Sequence, residues 1–68
     1  MDNPLLDYLM VRFNFRRDVE LARALQVNQP LLSKIRHGTI SITPSFILKV
    51  HETFDIPVKE IKKLANVN

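Results

Sequence analysis

A compact all-α bundle of about five short helices is the fold class this sequence predicts, and three observations carry it. The 68 residues include a single glycine, and all four prolines sit where a helix would open. Apolar residues recur at three- and four-residue spacings through most of the chain. Strand signals are thin: no stretch alternates for six or more residues, and no Asn-Gly or Asp-Gly hairpin turn occurs.

The first helix is expected over about 4–13, where Asn3 caps, Pro4 takes the first turn, and Leu5, Leu6, Leu9 and Phe13 form an apolar face with Tyr8 beside it. A second helix covers about 18–25, capped by Asn14 or Asp18. Asp18 and Glu20 suit its positive end, and Leu21, Ala22 and Leu25 form its buried stripe. The third runs from about 29 to 36. Asn28 caps it, Pro30 pre-sets its first turn, and His37-Gly38 ends it, the glycine fitting a left-handed residue. Thr43-Pro44 opens a fourth helix over about 44–54, with Phe46, Ile47, Val50 and Phe54 inward. Ile56-Pro57 opens a fifth over about 58–66, with Val58, Ile61, Leu64 and Ala65 inward. Residues 39–43 are extended without a partner strand.

A chain of this length makes one domain, residues 1–68, and buries only roughly 60% of its unfolded surface. With no cysteine, disulfides and thiolate metal sites are excluded, which suits a reducing, cytoplasmic setting. The two histidines have no carboxylate arranged beside them as a metal partner, and no cofactor loop or small-molecule substrate site is evident. No apolar run reaches the roughly 18 residues of a membrane span. The start Met1-Asp2-Asn3-Pro4 lacks the basic region and cleavage site of a signal peptide, so an unexported protein is expected. Catalysis is not expected either, because Ser33 has no base and orienting acid around it. His51 beside Glu52 reads as a surface pair, and Lys62-Lys63 as a solvated face.

Charge is distributed unevenly. The net charge is +3, and from Leu21 to His51 there is no Asp or Glu, while Arg23, Lys34, Arg36 and Lys49 lie there. A basic middle is the electrostatic footprint of a polyanion-binding surface. On the third helix, Leu32 and Ile35 share a face. Gln29, Ser33 and His37 recur every four residues on the other, beside Pro30 and Lys34. That outward face carries an amide, a hydroxyl, an ammonium and an imidazole with no acid, groups that hydrogen-bond to base edges and phosphates. Leu31 lies at its edge, where a thymine methyl, a partner protein or the core margin could receive it.

The stretch DVELARALQVNQPLLSKIRHG, residues 18–38, resembles the helix-turn-helix of phage-repressor and Cro-type transcriptional regulators. Leu21-Ala22 and Leu25 match the packed sites of the motif's first helix, Val27-Asn28 its turn and cap, and Gln29-Pro30 the start of its second helix. Leu32 and Ile35 match the two buried sites of the recognition helix, and Gly38 its end. Two positions depart from the pattern: Gln26 stands where the family has glycine, and Arg17 where it often has Ser, Thr or Asn.

The resemblance implies a small, repressor-like regulator of bacterial or phage type, acting on double-stranded DNA at the nucleoid. The helix-turn-helix would span about 18–37 and set residues 29–37 in the major groove. Gln29 would read a base, since its amide can pair bidentately with adenine; Ser33 and Lys34 come next, with lysine favouring guanine or phosphate. Pro30 belongs to the same contacting set. Asn28, His37, Thr39 and Ser41 would touch the DNA backbone near the helix ends, with Arg16, Arg17 and Lys49 neutralising phosphates; His37 could equally cap its own helix. A homodimer on a two-fold-symmetric site is the natural route to affinity, and it would have to use this domain's own surface, such as the fifth helix. The alternative function is a protein-interaction module in which Leu31, Ile40 and Ile42 engage a partner.

Overall fold

A computed structural model describes residues 3–66, so Met1-Asp2 and residues 67–68 lie outside the described range. Five helices follow one another: α1 (Pro4–Arg12), α2 (Asp18–Leu25), α3 (Gln29–Arg36), α4 (Pro44–Phe54) and α5 (Val58–Ala65). No strand occurs among the described residues, and 39–43 is irregular.

Local chemistry explains most of the helix boundaries. Asn3 Oδ1 accepts from Leu6 N–H at 3.2 Å, Asn28 Oδ1 from Leu31 N–H at 2.9 Å, and Thr43 Oγ1 from Phe46 N–H at 3.2 Å. Each oxygen satisfies a donor that the first turn leaves unpaired. Pro4, Pro30 and Pro44 sit in the first turns of α1, α3 and α4, where a missing N–H costs nothing.

The start of α2 differs from expectation. Neither Asn14 nor Asp18 caps it: Arg17 is the capping residue, without a side-chain cap bond, and Asp18 is already helical. Glu20 takes over the task from inside the helix. Its Oε1 accepts from Arg16 N–H at 2.8 Å and Arg17 N–H at 2.9 Å. Asn14 instead ends α1, in the left-handed region at φ 60°.

Helix ends share one device. After α1, α2 and α3 the chain passes through a left-handed residue, Asn14, Gln26 or Gly38. The next N–H then bonds back to the helix: Phe15 to the Met10 carbonyl, Val27 to Ala22 and Thr39 to Lys34, at 2.9, 3.0 and 2.9 Å. Asp55 and Asn66 take the same left-handed conformation after α4 and α5. Phe13 and Asn66, expected as the last residues of their helices, are the capping positions just beyond them.

The core is a continuous cluster fed by every helix. Leu5, Leu6 and Leu9 of α1 meet Leu21, Ala22 and Leu25 of α2, Leu32 and Ile35 of α3, Phe46, Ile47 and Val50 of α4, and Ile61 of α5. Ile56, in the turn before α5, is 1% exposed and joins them. Val58, Leu64 and Ala65 are only half-buried against this core. Phe54 is also half-buried, stacked on Phe13 with ring centroids 4.5 Å apart and edge-on to Phe15. His51 is not paired with Glu52: its Nδ1 donates to the Ile56 carbonyl at 2.6 Å and ties α4 to the turn that follows. Among the described residues no helix is long and apolar enough to cross a membrane.

Candidate nucleic-acid interface

The candidate face is built on α3, and α2 holds it. Leu32 and Ile35 are buried against Leu21, Ala22 and Leu25, so the opposite side of α3 turns outward. Gln29, Pro30, Lys34 and His37 are exposed there, and Ser33 is half-buried. Thr39 and Ser41 are exposed on the segment after Gly38. Gly38 itself has φ +78° and nothing within 4 Å of where a Cβ would stand, so glycine serves backbone conformation there and not close approach.

Three of the sequence-predicted residues have part of their chemistry committed elsewhere. Asn28 is exposed, but its oxygen already accepts the α3 cap hydrogen bond, which leaves its two amide hydrogens and one oxygen lone pair uncommitted. Arg17 is exposed with its backbone N–H held by Glu20, so any phosphate contact falls to its guanidinium alone. Arg16 is held in the same way, through its N–H at 2.8 Å. His37 ends α3 as its capping residue, through its backbone. Lys49 is half-buried on α4, near Ser45 and Thr43.

Arg36 overturns part of the basic-middle count. It faces inward, with Nε donating to Asp18 Oδ2 at 2.9 Å, Nη2 to Asp18 Oδ1 at 2.8 Å and Nη1 to Asp7 Oδ1 at 2.8 Å. Its side chain is only 17% exposed. The hydrogen bonds to Asp18 raise its pKa above the ordinary guanidinium value against the opposing effect of burial, with Asp7 adding to the rise. Among the described residues all salt bridges belong to Arg36, so Arg23, Lys34 and Lys49 keep their charge for the surface. Sequence reasoning missed this cluster because Asp7 and Asp18 are 29 and 18 residues away along the chain.

Leu31 goes to the core margin. With Val27, Ile35, Ile40 and Phe46 it lines a mostly apolar pocket of about 150 Å³ beside the 39–43 segment. Leu31 and Ile42 are half-buried, which leaves Ile40, 36% exposed, as the outward member of the Leu31, Ile40, Ile42 group.

The first turns of the helices are also sorted by charge. Those of α1, α2 and α5 carry acids (Asp7; Asp18 and Glu20; Glu60), whereas those of α3 and α4 carry none. The positive dipole ends beside the candidate face are therefore not offset by carboxylates of their own helices. Comparison with protein-family models, curated proteins and solved structures finds no significant match for this chain.

Proposed function

We propose that this chain is a sequence-specific double-stranded DNA-binding protein, a small regulator of the phage-repressor and Cro type that uses α2 and α3 as a helix-turn-helix. The observation that carries the reading is the outward side of α3. Gln29, Ser33, Lys34 and His37 share it without an acid, while Leu32 and Ile35 hold the opposite side in the core. Gln29 reads a base, Ser33 and Lys34 extend the readout, and Arg17, Asn28, Pro30, His37, Thr39 and Ser41 flank it toward the sugar-phosphate backbone. The acid-free first turns of α3 and α4 support the same direction of approach. A helix of eight residues spans few base pairs, so the working form is a homodimer on a two-fold-symmetric site.

The test is binding of a fluorescent duplex, with sequences selected from a random pool, across a salt series. Affinity for the selected duplex should exceed that for random sequence and fall steeply as salt rises, through counterion release. Affinity that is undetectable, or flat from low to moderate salt, would sink the reading. The protein-interaction alternative is the weaker one, because Leu31 and Ile42 are half-buried against the core.

A further inference from the structure

Helix α3 is anchored thinly for an element whose aim matters. Of its eight residues only Leu32 and Ile35 are fully buried apolar side chains, with Leu31 half-buried at the core margin. Two contacts on adjacent turns of one stripe leave rotation about the helix axis weakly restrained. A further anchor is polar and lies on the other side of the stripe from Leu31: Arg36 grips Asp18 in the first turn of α2 with two hydrogen bonds and Asp7 of α1 with one. Its Nη2 also lies 3.1 Å from Met10 Sδ on α1. A planar guanidinium held by both its edges resists rotation in a way that an apolar contact does not.

We propose that Arg36 is a positioning residue: its hold on Asp18 and Asp7 fixes the rotation of α3, so that base discrimination depends on a side chain that touches no base. This rests on the DNA-binding reading above. A side-chain atom about 6 Å from the helix axis sweeps about 1 Å for a rotation of roughly 10°, about twice the roughly 0.5 Å within which a binding constellation must be held. Bidentate pairing of Gln29 with a base edge is lost beyond it, while a phosphate contact from the flexible Lys34 survives. Ion pairs whose carboxylates are 47% and 26% exposed contribute little net stability, so an aiming role accounts for their presence better than a stabilising one.

The experiment compares Arg36→Met and Arg36→Lys with the unaltered chain, at a temperature where circular dichroism shows each folded. Two duplexes of equal length are used, one selected from a random pool and one of random sequence. Arg36→Met should lose about tenfold in affinity for the selected duplex and hold its affinity for random sequence, with Arg36→Lys between the two. A merely structural role would lower both affinities together, by the loss of folded protein. Equal losses on both duplexes, or an unchanged ratio in folded Arg36→Met, overturn the proposal. Should Arg36→Met fail to fold, Asp7→Asn, which leaves the two bonds to Asp18 in place, is read by the same ratio with a smaller expected loss, and an unchanged ratio there overturns it equally. An unaltered chain that binds neither duplex overturns the DNA-binding reading and this proposal with it.

Discussion

The two sides of α3 are built on opposite principles. The inward side is fully committed: Leu32 has no exposed surface, Ile35 is 4% exposed, and Arg36 is held by two carboxylates. Across the helix, Gln29, Lys34 and His37 are exposed and no described carboxylate pairs with Lys34 or His37. Both sides carry cations, so the difference is not one of charge. Arg36 is neutralised by residues that the fold brings to it, whereas Lys34, two positions earlier, meets none. A surface that keeps its hydrogen-bonding groups and one ammonium unspent is one that can spend them on a ligand.

That contrast can be broken or sharpened by substitution, the largest expected effect first. Leu32→Ala removes a fully buried side chain from the inward side and should cost about 2–5 kcal/mol, lowering the melting temperature by about 10 °C or more. A thermal melt followed by circular dichroism checks it, and a small shift would mean that α3 is not held by this contact. Gln29→Ala acts on the other side. It should leave the melt unchanged and lose about 1–3 kcal/mol of discrimination at one base pair. Uniform weakening over all sequences would make Gln29 a backbone contact.

Gln26→Gly tests the turn that joins α2 to α3. Gln26 is left-handed at φ 59°, a conformation that costs a non-glycine residue about 1 kcal/mol, so the variant should melt roughly 4–8 °C higher. Asn14→Gly should gain less, because asparagine tolerates that region better. An equal gain at both positions would show that side-chain chemistry is immaterial there. Lys34→Ala is the mildest change. It should leave stability within about 0.5 kcal/mol and reduce the salt dependence of duplex binding by about 0.9 in slope. An unaltered slope would remove Lys34 from the phosphate-contacting set.

What could be read directly from the chain was whatever depends on near neighbours. Asn3-Pro4, Asn28 with Pro30 and Thr43-Pro44 announce helix starts because a cap and its target N–H lie three residues apart. Gly38 takes the left-handed conformation expected of a glycine just after a helix, and Gln26, where the resemblance puts a glycine, takes it as well. The α2 start was misread for an instructive reason. Asp18 has a good capping side chain, but its carboxylate has a stronger use on Arg36, and Glu20 satisfies the donors instead. Of the candidate site, the outward set on α3 follows from helical spacing, since the buried stripe of Leu32 and Ile35 dictates the opposite side. The commitments of Asn28 and Arg17 change what those residues can offer, and they too are local.

By itself, then, the sequence determined an all-helical chain, the approximate bounds of its five helices, the apolar stripe of each and the acid-free side of α3. Those features are governed by interactions within about one helical turn. Only the tertiary structure decided that Arg36 is an internal anchor and not a surface cation, that Leu31 belongs to the core margin, and that His51 ties α4 to Ile56 and is not paired with Glu52. For Arg36 and Leu31 the reason is partners far along the chain, or a pocket assembled from several elements. For His51 the partner is only five residues on, but it comes within reach because the chain reverses at Asp55. A guanidinium, a leucine or an imidazole reads the same in a sequence whether the fold brings it a partner or leaves it to solvent.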